Sequence, residues 1–329
     1  MKGFDPKFTD FPDYIIGITK EIWEDRGIAT LHHYYAPDII VRSPSSIVQG
    51  NQGVIAATMA TLAEFPDRTL LGEDVIWNGT PETGMLSSHR LHSTATHANS
   101  GVYGAATGKQ LRYRIIADCH ARDNQIDDEW LIRDQGAIVR QLGWTPREFA
   151  RDLIQREGGP DHCAHPFNPK DDLQGPYTGT GNDNEWGARY ADILNQIMKA
   201  DFSVIPNAYD RAANLAYAGG IEALSHEGAD QFWMGLRASF PNARFTIHHQ
   251  IGRSDPMMPP RAALRWSLTG LHDGWGSFGA PTGAPVHIMG ASHAEFGAVI
   301  SGQPKLRREW ALFDETAVWK QILLHTGEL

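Results

Sequence analysis

The spacing of apolar residues changes along the 329-residue chain, and the same change occurs twice. In "YIIGITKEIWEDRG" the residues Ile15, Ile18, Ile22 and Trp23 recur at helical spacing, and Gly27 suits a stop. A second helix is predicted over "NQGVIAATMATLAEF", ended by Pro66. The period then shortens towards two. "EDVIWNG", "MLSSHRLHSTATH" and "KQLRYRIIADCHARD" read as strands, and "DDEWLIRDQGAIVRQLG" reads as a closing strand. Helices followed by an antiparallel meander predict an α+β domain with its helices on one face of the sheet.

The segment "TGLHDGWGSFGAPTG" at 269–283 is a loose double of "TATHANSGVYGAATG" at 94–108, offset by 175 positions. Carried outwards without a gap, that offset matches Tyr34 with Tyr209, Gly53 with Gly228, and Phe65-Pro66 with Phe240-Pro241. It also matches Arg90 with Arg265, His97 with His272, and Thr107-Gly108 with Thr282-Gly283. Beyond it, "ADCHARD" and "GASHAEF" suggest an offset of 173, with His120 opposite His293. "DDEWLIRDQG" and "RREWALFDET" then align at 180, with Trp130 opposite Trp310 and Asp134 opposite Asp314. The slips fall where a hairpin turn is expected, "RDNQID" against "FGAVISGQPKL", and turns tolerate insertions. The chain therefore reads as a tandem duplication. Its first domain spans 1–155, a linker rich in Gly, Pro and Asp spans 156–184, and the second domain spans 185–329.

Strand alternation groups Asp118 with His120, and Trp130 and Ile132 with Asp134; the second copy repeats this with Trp310, Leu312 and Asp314. If these faces are concave, each domain holds a cavity lined by Trp, His and a carboxylate. A carboxylate desolvated by such walls gains basicity and suits removal of a proton beside a carbonyl. A His or Tyr there donates to the oxyanion that develops. The candidate sets are Asp134 with His120, Tyr34 and Asp118, and Asp314 with His293 and Tyr209. The plainer alternative for each Asp is a strand-end cap or an ion pair. For His97 and His272 a loop tether competes with a place at the pocket mouth. For Arg90 and Arg265 a structural ion pair competes with binding of a substrate carboxylate.

"GLHDGWGSFGAPTGAPV", a His-bearing strand and then "REWALFD" resemble the SnoaL-like polyketide cyclases of the nuclear transport factor two-like superfamily. The resemblance covers most of both copies and omits the linker. It implies two cone-shaped α+β domains, each a curved antiparallel sheet wrapped by helices around a ligand cavity. It also implies ring closure by an intramolecular aldol reaction with no metal and no organic cofactor. The carboxylate ending the Trp strand would act as acid and base, helped by a His one strand earlier. Those roles fall on Asp134 and His120, and on Asp314 and His293. Single-domain relatives pair through their sheets, so a fused pseudo-dimer that dimerises again is expected.

The composition fits an ordinary globular protein, at 41% apolar, 21% charged and 10% aromatic. A formal charge of -10 without a basic run argues against nucleic acid or anionic membrane as the main partner. "MKGFDPKFTDFPDY" is broken by charges and prolines and is no signal peptide. Two cysteines, Cys119 and Cys163, point to a reducing cytoplasm rather than a disulfide scaffold. His162, Cys163 and His165 lack a second ligand cluster, and the Gly-rich loops lack a nucleotide fingerprint. The expected activity is a cofactor-independent cyclase, isomerase or lyase acting through an enolate on a small carbonyl compound. A non-catalytic ligand-binding or scaffold protein of the same fold is the alternative, and an epoxide or ester hydrolase a weaker one.

Overall fold

The repeat in sequence becomes a repeat of topology in the computed structural model, which describes residues 1–297 and 303–329. Each half builds a six-stranded sheet, ordered β2-β1-β6-β5-β4-β3 and β8-β7-β12-β11-β10-β9. The first unit comprises residues 1–145 and 167–179, and the second 146–166 and 180–329.

In the first unit α1 (Phe11–Thr19) runs on into a π turn and is followed by the short α2 (Leu31–Tyr34). The side chain of Asp10 caps α1 by accepting from the Asp13 N–H, and Phe11, Tyr14, Ile15 and Ile18 face inward. The hairpin β1 (Tyr35–Ser43) and β2 (Ser46–Gln49) leads to α3 (Asn51–Glu64). The meander β3 (Leu71–Thr80), β4 (Gly84–Thr96), β5 (Gln110–Arg122) and β6 (Gln125–Arg133) follows, then α4 (Gln135–Leu142). The second unit takes α5 (Pro146–Arg156), α6 (Glu185–Met198) and the short α7 (Val204–Ala208). It continues with β7 (Tyr209–Tyr217), β8 (Ile221–Leu224), α8 (Ser225–Ser239) and β9 (Arg244–Arg253). It ends with β10 (Arg261–Leu271), β11 (Pro285–Phe296), β12 (Leu306–Phe313) and α9 (Glu315–Thr326).

The antiparallel meander expected from the sequence is β3–β6 and its double β9–β12. The β1–β2 and β7–β8 hairpins add to it, and β1 joins β6, as β7 joins β12, in parallel. The sheets are therefore mixed. In "YYAPDIIVRS" Pro37 and Asp38 interrupt the alternation, and the pairing with β6 shifts register there. The closing run is also shorter than expected: β6 stops at Arg133 and the chain turns into α4.

Strand registers correct two of the residue matches. Arg90 lies opposite Ile116, and Arg265 opposite Ala291, so the 175 offset continues through β5 and β11. His293 thus occupies the place of Asp118, and the place of His120 belongs to Glu295. The extra residues sit in the β11–β12 turn, of which 298–302 lie outside the described residues. Across the sheet, Tyr35 pairs with Ile126 as Tyr209 pairs with Leu306. Tyr35, not Tyr34, is the counterpart of Tyr209. The longer β7–β8 turn, Ala218-Gly219-Gly220, absorbs the one-residue difference.

Helices cover one face of each sheet. In the second unit that face gathers Tyr190 and Leu194 of α6, Trp233 of α8, Trp266, Phe296 and Phe313 into one core. Burying each large side chain stabilises the fold by about 1.5–3 kcal/mol. Gly290 is required under Trp266: a Cβ there would lie 2.2 Å from the indole ring. The first unit's core holds Phe11, Tyr14, Ile18, Ile39, Val41, Val75, Met85 and Cys119. Among the described residues no helix is long and apolar enough to cross a membrane.

Candidate active site

Alternation along β6 and β12 decides which carboxylate faces the helices. Cys119 pairs with Glu129, and Ala294 with Glu309, and both Cys119 and Ala294 belong to the helix-covered cores. Glu129 and Glu309 therefore point at the helices. Trp130 and Trp310, the next residues, point to the opposite face. Asp118 and His120 share that opposite face, since they pair with Trp130 and Asp128. Asp118, His120 and Trp130 share a face, but not the one that the helices cover, and Asp134 lies beyond the strand at the start of α4.

Glu129 is buried among apolar neighbours, and that burial pushes its carboxyl up to about 7, against hydrogen bonds from Tyr35 and Cys119. Around it on the same face stand Ser87, the cross-strand partner of Cys119, and His89, the partner of Ala117 and Val75. Ser87 Oγ lies 3.1 Å from His89 Nδ1. Burial holds the His89 imidazole down at about 4, so it is neutral at physiological pH. The set combines a carboxyl that titrates near neutrality with a neutral imidazole, a phenol and a thiol.

The second unit keeps the carboxyl and closes the space around it. Glu309 Oε1 accepts from the hydroxyls of Tyr190 and Tyr209, both at 2.8 Å. Its Oε2 accepts from Tyr217 Oη at 2.6 Å and from Trp233 Nε1 at 3.3 Å. Burial raises this carboxyl and the four donors oppose the rise. The positions of Ser87, His89 and Cys119 are taken by Ala262, Leu264 and Ala294, all packed in the core. In the first unit Tyr14 turns its hydroxyl to the Asn124 carbonyl at 3.0 Å. Thr58 stands where Trp233 does, and Ser43 where Tyr217 does.

Asp134 and Asp314 both begin helices. Asp134 Oδ1 accepts from the Ala137 N–H at 3.0 Å and caps α4. Asp314 Oδ1 accepts from the Thr316 N–H at 2.8 Å, the Thr316 hydroxyl at 2.6 Å and the Ala317 N–H at 3.2 Å, capping α9. Burial pushes Asp314 up to about 6 despite these bonds. Replacing either Asp by Ala is expected to lower stability by about 1 kcal/mol in urea titrations, with the chemistry of the folded protein unchanged. A loss of activity with full stability in Asp134→Ala would restore that residue as the base.

The remaining candidates are spread over other contacts. His120 Nδ1 lies 2.6 Å from Asp127 Oδ1, and its ring packs on Tyr177 at 4.8 Å. The Arg42 guanidinium lies over Trp130 at 4.6 Å and bonds Asp128 Oδ1 at 2.5 Å. Residues 167–179 form a strap on this face: the Tyr177 N–H donates to Asp128 Oδ2 at 3.1 Å, and Arg42 bonds Asp172 and the Leu173 carbonyl. Gly175 is needed there, because a Cβ would meet Asp128 Oδ2 at 2.0 Å. His293 is buried, opposite Trp310. Tyr34 Oη donates to Glu21 Oε2 at 3.2 Å. Arg90 Nε bonds Glu73 Oε2 at 2.8 Å, and Arg265 lies opposite His249, whose imidazole burial and this arginine push down to about 3.

The doubled segment is a loop closed on itself. The carbonyl of His97 accepts from the Thr107 and Gly108 N–H groups, and that of His272 from Thr282 and Gly283. Nδ1 of each His meets the Thr hydroxyl, at 3.1 and 3.0 Å. Gly108 and Gly283 have φ of +67° and +71°, a left-handed turn that favours glycine. His97 Nε2 also meets Glu64 Oε1 at 3.1 Å, whereas Ser239 holds that place in the second copy. Among the described residues no three His, Cys, Asp or Glu side chains converge as metal ligands.

Residues 14–142 match the family model of the SnoaL-like polyketide cyclases. Among solved structures, the chain is similar to IdmH from Streptomyces antibioticus at 22% identity, over 40% of this chain and 98% of that one, with a TM-score of 0.35. It is similar to TsrD from Streptomyces laurentii at 17% identity, over 40% and 93%, with a TM-score of 0.34. A SnoaL-like polyketide cyclase from Agrobacterium tumefaciens strain C58 is 16% identical over 40% and 97%, with a TM-score of 0.32. No curated protein matches the chain in sequence.

Proposed function

Because residues 14–142 match the family model of the SnoaL-like polyketide cyclases and the second unit repeats their strand order, we propose a cofactor-independent acid/base enzyme worked by the first unit. Its substrate is a small carbonyl compound, and its reaction passes through an enolate. The observation that carries this is Glu129: a carboxyl on the helix-covered face, in an apolar wall, poised near pH 7. Its ionised form takes the proton from carbon beside the carbonyl. Its acid form returns a proton later, and a pKa near the working pH serves both steps. The neutral imidazole of His89 lies on the same face, one strand beyond Cys119 and one inward position further along. It is placed to donate to the enolate oxygen. In a cyclisation the enolate carbon attacks a second carbonyl of the same molecule, and the new alkoxide takes the proton. The second unit, with its carboxyl held by four donors, supplies structure.

A panel of β-keto esters, keto acids, keto-sugars and polyketide-like aromatics incubated in heavy water tests the proposal by mass spectrometry. Deuterium is expected at carbon in a bound compound with the wild type and Asp134→Asn, and not with Glu129→Gln. Compounds that bind all three proteins without exchange or product would favour a ligand-binding module instead.

A further inference from the structure

At the end of the helix-covered face remote from Glu129, the first unit buries an arginine without an acid. Arg68, in the turn between α3 and β3, is 6% exposed and makes no ion pair among the described residues. Its Nε has no hydrogen-bond partner. The groups acting on its charge are Tyr113, Arg133 and Tyr103, none of them a carboxylate. Tyr113, on β5, is bonded to Arg68 and to Ser93, its cross-strand partner. Arg133 stands on β6 opposite Ile115, two residues from Tyr113 and on the same face. The two guanidinium groups together pull the Tyr113 phenol below its ordinary range.

The second unit shows what these positions hold when nothing polar is needed. By hydrogen bonding and register, Arg68 corresponds to Ala243, Ser93 to Leu268, Tyr103 to Phe278, Tyr113 to Ile288 and Arg133 to Phe313. All five of those residues pack in the second unit's apolar core. The same fold therefore closes well with Ala, Leu, Phe, Ile and Phe. Burying a guanidinium without a counter-charge opposes folding, so the first unit keeps its polar set against stability.

We propose that Arg68, with Tyr113 and Arg133, forms a subsite for an anionic group, a carboxylate, on the ligand of the first unit. Arginine suits this because its planar fork donates two parallel hydrogen bonds to a carboxylate, and Arg68 Nε is a donor left for that purpose. The substrate class of the proposed enzyme narrows accordingly. Cys119 and Tyr113 lie six residues apart on β5, on the order of 20 Å along an extended strand. The ligand is therefore an elongated or polycyclic carbonyl compound with its anion at the end away from the reacting carbon. This extension rests on placing the reaction at Glu129, but binding of the anion does not.

Calorimetry with 15-oxohexadecanoate, whose carbonyl and carboxylate lie at about that separation, and with its methyl ester separates the two. The wild type is expected to bind the acid at least tenfold tighter than the ester. Arg68→Leu should bind both alike, and Arg68→Lys should recover part of the preference, guarding against misfolding in the first variant. Glu129→Gln should keep the full preference even where exchange is lost. Arg68→Leu should also melt higher than the wild type in the absence of ligand. Equal binding of acid and ester by the wild type, no binding of the acid at millimolar concentration, or a preference surviving in Arg68→Leu would overturn the subsite. Loss of the preference in Glu129→Gln alone would place the anion at the wrong end and overturn it too.

Discussion

Glu129→Gln will melt at a higher temperature than the wild type above pH 7, and its exchange at carbon will be slowed by orders of magnitude. In the folded protein this carboxyl titrates at about 7, against an ordinary value of 4.5. Below pH 4.5 it is protonated in both folded and unfolded chains, and glutamine gains little. Between those values the folded chain holds a proton that the unfolded chain has released, so wild-type stability falls as pH rises. Above pH 7 the full penalty applies, at most about 3 kcal/mol for a shift of this size. The neutral amide never incurs it. The expected gain in melting temperature is on the order of 10 °C at pH 8, shrinking to near zero at pH 4. Loss of the general base should slow exchange by about a thousandfold. Melting curves of both proteins from pH 4 to 8 check the first part. A gap that does not vary with pH would mean that Glu129 is not buried and neutralised as described.

Glu309→Ala should do the reverse and cost the second unit about 5 kcal/mol or more. The substitution leaves three phenols and an indole N–H facing a cavity with no acceptor. A buried donor stripped of its partner costs about 1–3 kcal/mol, and four are stripped together. Tyr217→Phe removes only one donor and leaves Glu309 with three. It should cost about 1–2 kcal/mol. Urea unfolding followed by tryptophan fluorescence distinguishes them, since Trp233 and Trp266 both lie in this core. A loss below 1 kcal/mol in Glu309→Ala would show that the network contributes little. Abolished exchange in a folded Tyr217→Phe protein would move the active site to the second unit.

Much of this architecture is legible from spacing alone. Helices α1 and α3 and the strands β3, β4 and β5 lie where the sequence places them, and the 175 offset locates the second copy. The orientation of the last strand is not legible. In "EWLIRD" and "EWALFD" apolar residues occupy both faces, because both faces of β6 and β12 are largely buried, and period two then carries no information. The Trp face runs towards Asp134, which caps α4, and the other face carries Glu129. The Glu before each Trp, Glu129 and Glu309, is repeated in both copies. Asp134 and Asp314 looked like strand-end carboxylates because the helices they cap begin immediately afterwards. The polar interior of the first unit shows in the registers that match Arg68 with Ala243 and Tyr113 with Ile288. Such a comparison needs exact pairing of strands.

The route of the backbone between the copies binds their fates. Residues 146–166 belong with the second unit and 167–179 with the first, so the chain passes between the two three times. Severing it after residue 145 would strip the first unit of its strap, and severing it after 179 would strip the second of α5. No single break yields two whole halves. The two units must be synthesised and degraded as one molecule.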